Sequence, residues 1–199
     1  MKTLLLTGFE PFLDHPSNPT DFIARALDGE QIGKYHVKSK ILPVAFDESA
    51  KVLLETESEL SPDAIIMLGL AAGRSSITPE RIAINVQGGA VDNKGVKLED
   101  EEIIPSGPAG YFSTLPIHTF VQALREQDIP ASISNTAGTY LCNKVMYSML
   151  HSLKERGLHS PAGFVHIPYS HDMRLKTKSP SLSMKEMETA VRIMIQQLT

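Results

Sequence analysis

The chain has 199 residues, of which 42% are hydrophobic and 21% charged, and its formal net charge is −4. These proportions are close to those of soluble globular proteins and exclude a disordered or fibrous chain, and the length suits one α/β domain over residues 1–199. The acidic balance is unlike that of a nucleic-acid-binding protein, and no segment approaches the ~18 apolar residues of a membrane span.

The single cysteine and the start of the chain narrow the expected compartment. One cysteine cannot form an intrachain disulfide, and it excludes a multi-cysteine zinc site. The first apolar run covers only residues 4–6, which is too short for a secretory signal peptide. A cytoplasmic enzyme or binding protein is therefore expected, with neither a nucleic-acid nor a membrane partner.

The first half of the chain alternates short apolar runs with helix signals. Strands are predicted at residues 4–7, 36–42 and 64–68. The last of these is a continuous apolar run, as expected of a buried central strand. Asn18 before Pro19 indicates the N-cap and first position of a helix. Asp47 is predicted to cap a second helix that carries Ala50 and Leu53.

The second half repeats this alternation. Strands are predicted at residues 81–86, 131–134 and 163–167. A helix is predicted behind Pro116 because apolar residues recur there at the helical period: Ile117, Phe120, Val121 and Leu124. A long helix is expected to start near Thr139. The last helix has a capping box of Ser183 and Glu186, and its predicted buried face consists of Met187, Ala190, Val191, Met194 and Leu198.

Strands that alternate with helices predict an α/β fold, here a single-domain three-layer sandwich. Its twisted sheet is expected to be mostly parallel or mixed, with helices on both faces. Residues 87–113 do not fit this pattern, because they are rich in Gly, Pro and acidic residues and contain a turn signal at 92–95. They are predicted to form a hairpin-like excursion outside the sheet, at a functional site or an interface.

Cys142 is predicted to lie in the first turn of the long helix, since Gly138 permits a sharp turn before it. Unpaired backbone N–H groups and the helix macrodipole stabilise a thiolate at that position and lower the thiol pKa. The same groups favour an oxyanion. The alternative is a small buried hydrophobe, because Cys142 shares a helix face with Met146, Met149 and Leu153. This segment alone leaves both interpretations open.

His166 and Glu80 are the candidate partners of that thiol. His166 is predicted near the C-terminal end of a strand that Pro168 terminates, where ligands bind in open α/β sheets. Glu80 follows Pro79 and is able to orient an imidazole, as the third member of a triad does. Taken singly, a histidine in a strand is more often structural, and a glutamate such as Glu80 is more often in an ordinary ion pair. Spacing and composition thus leave a Cys–His hydrolase on an α/β sheet as one interpretation, and they name no substrate.

Five segments together resemble the pyroglutamyl peptidase family, also called pyrrolidone-carboxylate peptidases. They are residues 7–12 (TGFEPF), 73–85 (from GR to PERIAIN), 111–116 (YFSTLP), 134–143 (SNTAGTYLCN) and 165–169 (VHIPY). The segments occur in the family's order and spread over nearly the whole chain. The resemblance implies a catalytic triad of Cys142, His166 and Glu80 that needs no cofactor and no metal.

The same resemblance implies a mechanism, a substrate and an assembly. His166 would take the proton of the Cys142 thiol, giving a thiolate–imidazolium pair, and Cys142 would form an acyl-enzyme with N-terminally pyroglutamylated peptides. A neutral lactam calls for an apolar pocket, and the residues implied to line it are Phe9, Phe12, Tyr140 and Leu141. Family members commonly form homotetramers, so a homo-oligomer is expected, with residues 87–113 as an interface.

The sequence departs from the family pattern at two places. Leu70 stands where such proteins commonly have a glutamine that addresses the lactam. The stretch after Asn85 is a residue shorter and lacks an arginine often found there. These departures suggest one alternative, a cysteine amidase with a different small-acyl specificity. A separate alternative is a non-catalytic small-molecule binding protein or thiol sensor on the same fold.

Overall fold

The fold is described from a computed structural model, which covers residues 1–12, 15–173 and 178–198. Its strands are β1 (Lys2–Phe9), β2 (Gln31–Ile32), β3 (Tyr35–Leu42), β4 (Ala64–Leu70), β5 (Thr78–Pro79), β6 (Ile82–Ile84), β7 (Gly110–Phe112), β8 (Ala162–Ile167), β9 (Tyr169–Ser170) and β10 (Ser181–Leu182). Its helices are α1 (Pro19–Leu27), α2 (Ser49–Leu60), α3 (Ile117–Arg125), α4 (Leu141–Glu155) and α5 (Met184–Gln196).

The main sheet has six strands in the order β2-β3-β1-β4-β8-β5. Strands β3, β1, β4 and β8 run parallel, and the short edge strands β2 and β5 are antiparallel to their neighbours. The central strand β4 is buried along its whole length, as its continuous apolar sequence predicts. The predicted mixed, mostly parallel sheet is therefore confirmed.

Helices cover both faces of this sheet and divide the core in two. One cluster contains Leu4 and Leu6 of β1 together with the apolar faces of α1, α3 and α5. The other contains Leu5 of β1 together with apolar residues of α2 and α4. Alternate residues of one strand point to opposite faces, so a single apolar strand serves both cores. This arrangement confirms the three-layer prediction.

Several helix boundaries follow from local sequence. Asn18 is the N-cap of α1, where its side chain accepts from the Thr20 N–H, and Pro19 takes the first position. Ser183 and Glu186 form the predicted capping box of α5. The predicted buried faces of α3 and α5 are buried. The long helix α4 begins at Leu141, two residues after the expected start.

Asp47 does not cap α2, contrary to the prediction. The N-cap is Glu48, and it makes no side-chain capping bond. The Asp47 carboxylate instead accepts from Lys94 Nζ at 3.1 Å. Asp47 thus pairs with a lysine 47 residues further along the chain rather than with the first N–H groups of α2.

The two remaining strand predictions were only partly right. Residues 82–84 do form a strand, but β6 pairs with β7 in an antiparallel hairpin outside the main sheet. Residues 131–134 make only isolated bridges, from Ala131 to Ile77 and from Ser134 to Glu80. Segment 87–113 is the excursion that the composition predicted, and its end supplies β7. Among the described residues, no helix is long and apolar enough to cross a membrane.

Candidate active site

Helix α4 places Cys142 directly over the central sheet. Cys142 is the second residue of the helix, after the N-cap Tyr140, and its side chain is half-buried. Gly69 of β4 makes this approach possible, because a Cβ there would lie 3.0 Å from the Cys142 Sγ and 2.5 Å from the Phe164 ring. The absence of a side chain at Gly69 therefore leaves room for the sulfur on the sheet.

His166 stands on the neighbouring strand at the same level. In the register of β4 and β8, Gly69 pairs with His166. Phe164, two residues earlier in β8, packs in the core cluster beneath α4, and period-two alternation puts the His166 side chain on that same face. Strands in a sheet lie ~4.8 Å apart. The thiol and the imidazole are thus brought together on one face of two adjacent strands.

Glu80 reaches His166 from the edge of the sheet. Strand β5 pairs with the end of β8, and the Glu80 N–H continues this pairing by donating to the Phe164 carbonyl at 2.9 Å. The Glu80 side chain is fully buried, and its Oε1 lies 2.6 Å from His166 Nδ1. A carboxylate only accepts hydrogen bonds, so Nδ1 carries the proton and Nε2 of a neutral ring is free to accept one.

Arg74 is a fourth member of this cluster that the sequence analysis did not single out. Its Nη1 donates to Glu80 Oε1 at 2.7 Å, and its Nη2 donates to the Thr136 carbonyl at 3.3 Å. The only signal in the sequence was its place in the motif at residues 73–85. Nothing local marks an arginine in a loop as the partner of a buried acid.

Burial and charge set the protonation of the three candidate residues. Burial raises the pKa of the Cys142 thiol to about 12, and the Glu80 carboxylate acts in the same direction. Burial also lowers the pKa of His166, against the opposing effect of Glu80. Burial alone would raise the pKa of Glu80, but the hydrogen bond and charge of His166, with smaller effects of Ser134 and Arg74, bring it below the ordinary value.

The expected lowering of the thiol pKa at the helix N-terminus is therefore not found. The macrodipole contribution is modest at a helix end, whereas removing a thiolate from water in an apolar surrounding costs more. At neutral pH these directions of the three pKa shifts favour a neutral thiol and a neutral imidazole, with Glu80 ionised.

A pocket opens next to Cys142. Its lining consists of Phe9, Phe12, Asn18, Val44, Leu70, Tyr140, Leu141 and Cys142. All four residues implied by the resemblance as substrate contacts are in this set, and so is Leu70, which packs with Phe12. Asn18 is 1% exposed and uses its side chain to cap α1. The walls are thus apolar apart from the thiol, the tyrosine and the Asn18 amide, which is already hydrogen-bonded within the protein.

The excursion holds the rim of this pocket in place. Tyr140 packs edge-on against Phe46 with 5.3 Å between ring centroids, and its hydroxyl donates to the Val91 carbonyl at 3.3 Å. Asn93 Nδ2 donates to the Pro11 carbonyl and to Glu10 Oε1, both at 2.9 Å. Residues 91–93 were predicted within an excursion at a functional site or an interface, without named partners, so these particular contacts at the pocket rim are new.

Asn143 is a second residue whose importance the sequence did not reveal. It is fully buried, and its side-chain amide donates to the carbonyls of Ile84 and Val86 and accepts from the Ile84 N–H. It therefore fixes strand β6 to the first turn of α4, immediately beside Cys142. No group of three or more metal-ligating side chains is present in the part of the chain that the structure describes.

Comparison with known proteins places the whole chain in one family. The family model described as pyroglutamyl peptidase matches residues 1–199. The pyrrolidone-carboxylate peptidase of Halalkalibacterium halodurans is 50% identical over 197 residues, covering 98% of each chain. The pyrrolidone-carboxylate peptidase of Thermococcus kodakarensis is 41% identical over 201 residues, covering 98% of this chain and 97% of the relative.

Solved structures extend the similarity to the fold. The crystal structure of Bacillus amyloliquefaciens pyroglutamyl peptidase I matches with a TM-score of 0.96 at 38% identity, covering 98% of this chain and 96% of that one. The pyrrolidone carboxyl peptidase of Thermococcus litoralis matches with a TM-score of 0.94 at 39% identity, covering 98% and 92%. The resemblance inferred from the motifs is confirmed: the chain belongs to the pyroglutamyl peptidase family, a family of cysteine peptidases.

Proposed function

We propose that this peptidase cleaves the amide bond after an N-terminal pyroglutamyl residue through a thioester intermediate on Cys142. The single observation that carries the proposal is the position of Cys142. It lies at the edge of an apolar pocket and on the same sheet face as the buried Glu80–His166 pair.

In the first half-reaction, Cys142 Sγ attacks the carbonyl carbon of the pyroglutamyl residue. The thiol proton passes to Nε2 of His166 as the C–S bond forms, since a neutral thiol is the favoured resting state. Glu80 stabilises the imidazolium that results. The unpaired N–H groups of the first turn of α4 stabilise the oxyanion.

His166 completes the first half-reaction by giving its proton to the leaving amine as the C–N bond breaks, which leaves the acyl-enzyme. In the second half-reaction, water regenerates the enzyme. The neutral imidazole then takes a proton from water, whose oxygen attacks the thioester carbonyl. Release of pyroglutamate returns the proton to the Cys142 sulfur. The four side chains Phe9, Phe12, Tyr140 and Leu141 are proposed to hold the lactam ring, because a neutral ring suits an apolar pocket.

The test uses a fluorogenic pyroglutamyl amide and the corresponding prolyl amide under reducing conditions. The prolyl ring is of the same size but carries a cationic amine, which an apolar pocket disfavours. We expect turnover of the pyroglutamyl compound only, with a loss of at least about 10³-fold in Cys142→Ala. Turnover of another small acyl amide instead would indicate the altered specificity that Leu70 suggests. Rapid alkylation of Cys142 without any turnover would leave a thiol-reactive binding protein.

We also propose a homo-oligomer, a tetramer by analogy with the family. Three apolar side chains in segment 87–113 support an interface there, because Val91, Val96 and Phe112 are 44%, 39% and 68% exposed. Light scattering at micromolar concentration tests this, and a monomer would remove the proposal.

One domain and a cytoplasmic location complete the proposal. Strand β1 and helix α5, near opposite ends of the chain, share one apolar cluster, which supports a single domain over residues 1–199. Limited proteolysis into two stable fragments would contradict it.

A catalytic thiol has to stay reduced, and the cytoplasm maintains free thiols. Cell fractionation checks the location, which activity in a secreted fraction would contradict.

A further inference from the structure

Arg74 connects the buried acid to the loop that leads into the nucleophile's helix. Its Nη1 shares Glu80 Oε1 with His166 Nδ1, at 2.7 Å and 2.6 Å respectively. Its Nη2 reaches the Thr136 carbonyl at 3.3 Å, in the segment immediately before α4. One planar guanidinium therefore contacts both the Glu80 carboxylate and the Thr136 carbonyl. The single ammonium group of a lysine does not reproduce this two-pronged geometry.

The burial of the two partners makes this contact more than a surface ion pair. The Glu80 side chain is 0% exposed and that of Arg74 29%. A carboxylate without a charged partner is costly to bury, and the imidazole is neutral in the resting state described above. Arg74 is then the nearest permanent positive charge to Glu80.

The charge of Arg74 acts on both reacting groups in the same direction. Glu80 and Arg74 are the charged groups around His166 on the side of β5. Cys142 is the titratable group on the side of α4, and Tyr140 is close to Cys142. Burial lowers the pKa of His166, Glu80 opposes this, and Arg74 lowers it further. Burial and Glu80 raise the pKa of Cys142, whereas Arg74 lowers it.

We propose that Arg74 is a positioning residue of the peptidase, which holds the Glu80 carboxylate against His166 and ties that pair to the loop preceding Cys142. The inference rests on the proposed function, in which His166 must be neutral and correctly oriented to accept the thiol proton. Arg74 itself touches neither the thiol nor the pocket, so its effect passes through Glu80 and His166.

The test measures alkylation of Cys142 by iodoacetamide as a function of pH in Arg74→Gln. The chain has one cysteine, so labelling reports this thiol alone, and no pyroglutamyl substrate is needed. Loss of the cation should favour the imidazolium and disfavour the thiolate. We therefore expect the alkylation curve to move to higher pH. With substrate, kcat should fall about 10- to 100-fold while KM changes by less than about threefold.

Arg156→Gln is the matched control. Arg156 also pairs with a buried acid, Glu57, whose side chain is 3% exposed. It follows the C-terminal end of α4, roughly 21 Å along the helix from Cys142 at ~1.5 Å per residue. This variant should lose stability without moving the alkylation curve. A folded Arg74→Gln with the wild-type curve would overturn the proposal.

A second variant keeps the proposal testable if Arg74→Gln does not fold. Arg74→Lys retains the charge but lacks the fork that spans Glu80 and Thr136. We expect it to keep the alkylation curve near that of the wild type and to lose about 3- to 10-fold in kcat. Wild-type kcat in a folded Arg74→Lys would refute the positioning role. Failure of the substrate assignment is recognised separately, because alkylation would still respond to Arg74 while turnover is absent from the wild type.

Discussion

Oxygen Oε1 of Glu80 accepts two hydrogen bonds, one from His166 and one from Arg74. The contact with the Nδ1 proton selects the tautomer of His166 that leaves Nε2 free, and the negative charge stabilises the imidazolium formed during the reaction. A glutamine side chain at position 80 would have the same shape but would lack that charge. Its NH₂ group would also be able to face His166 in place of the oxygen that accepts the hydrogen bond.

We therefore expect Glu80→Gln to reduce kcat by about 10²- to 10⁴-fold with little change in KM. The measurement is steady-state kinetics with the pyroglutamyl amide, together with a thermal melt to establish that the variant is folded. Glu57→Gln is the matched control, since Glu57 is a buried acid paired with an arginine outside the site. A kcat within about threefold of the wild type in folded Glu80→Gln would remove Glu80 from the mechanism.

The site residues differ in how far the sequence predicted their placement. Cys142 was predicted at a helix N-terminus and lies there, and His166 lies near the end of β8 as expected. Their catalytic roles stay predictions. Arg74 was missed because its partners are 6 and 62 residues away in the chain. The thiol pKa was predicted in the wrong direction because burial depends on the whole surrounding structure.

At the scale of elements, helix α4 joins the sheet to the excursion. Its first turn carries Cys142 over β4, and the next residue, Asn143, binds both the N–H and the carbonyl of Ile84 in β6. Strand β6 thus pairs with β7 on one edge and with a side-chain amide on the other. An amide that both donates and accepts replaces a neighbouring strand here.

Asn143→Ala should lower the free energy of unfolding by about 2–4 kcal/mol. The reason is that the buried amide of Asn143 makes three hydrogen bonds that are lost, which leaves the Ile84 N–H and the Val86 carbonyl without this partner, whereas the Ile84 carbonyl still accepts from the Val86 N–H. Urea denaturation followed by circular dichroism measures this. The control is Asn135→Ala, because Asn135 is exposed and accepts one bond from Arg81, and its effect should stay within about 0.5 kcal/mol. Equal effects of the two substitutions would contradict the bridging role of Asn143.

At the scale of the whole molecule, the buried Glu80–His166 pair couples stability to pH. Burial lowers the pKa of His166 in the folded state, and the hydrogen bond and charge of His166 outweigh burial in lowering the pKa of Glu80. In the unfolded chain, histidine takes up a proton below about pH 6.5 and glutamate below about pH 4.3. The unfolded state therefore binds more protons than the folded state, first through His166 and then through Glu80.

Stability should accordingly fall as the pH is lowered below about 6.5, with a further loss below about pH 4.3. It should be highest between about pH 6.5 and 8.5, because the raised pKa of the Cys142 thiol costs stability once the thiol of the unfolded chain ionises. Urea midpoints measured between pH 7.5 and 4 test this. His166→Gln removes the first of the two titrations, so its midpoints should change less between pH 7.5 and 5.5. The same slope in both proteins over that range would mean that other groups dominate the acid response.

The sequence by itself determined the elements whose signals are local. Three of these signals depend only on neighbours within a few residues. They are the apolar run of β4, the Asn18 cap before Pro19 and the capping box of Ser183 and Glu186. The α/β architecture followed from their order, and the set of family motifs identified the family. Each of these predictions was confirmed.

Tertiary structure alone decided what the active site is made of. Three features of the site depend on segments that are distant in the sequence. They are the register that sets Gly69 beside His166, the contact of Glu80 with His166 across 86 residues of sequence, and the burial that raises the pKa of Cys142. Side-chain proximity and desolvation depend on every element packed around a point. Local propensity does not encode them, because the same short sequence has different neighbours in a different fold.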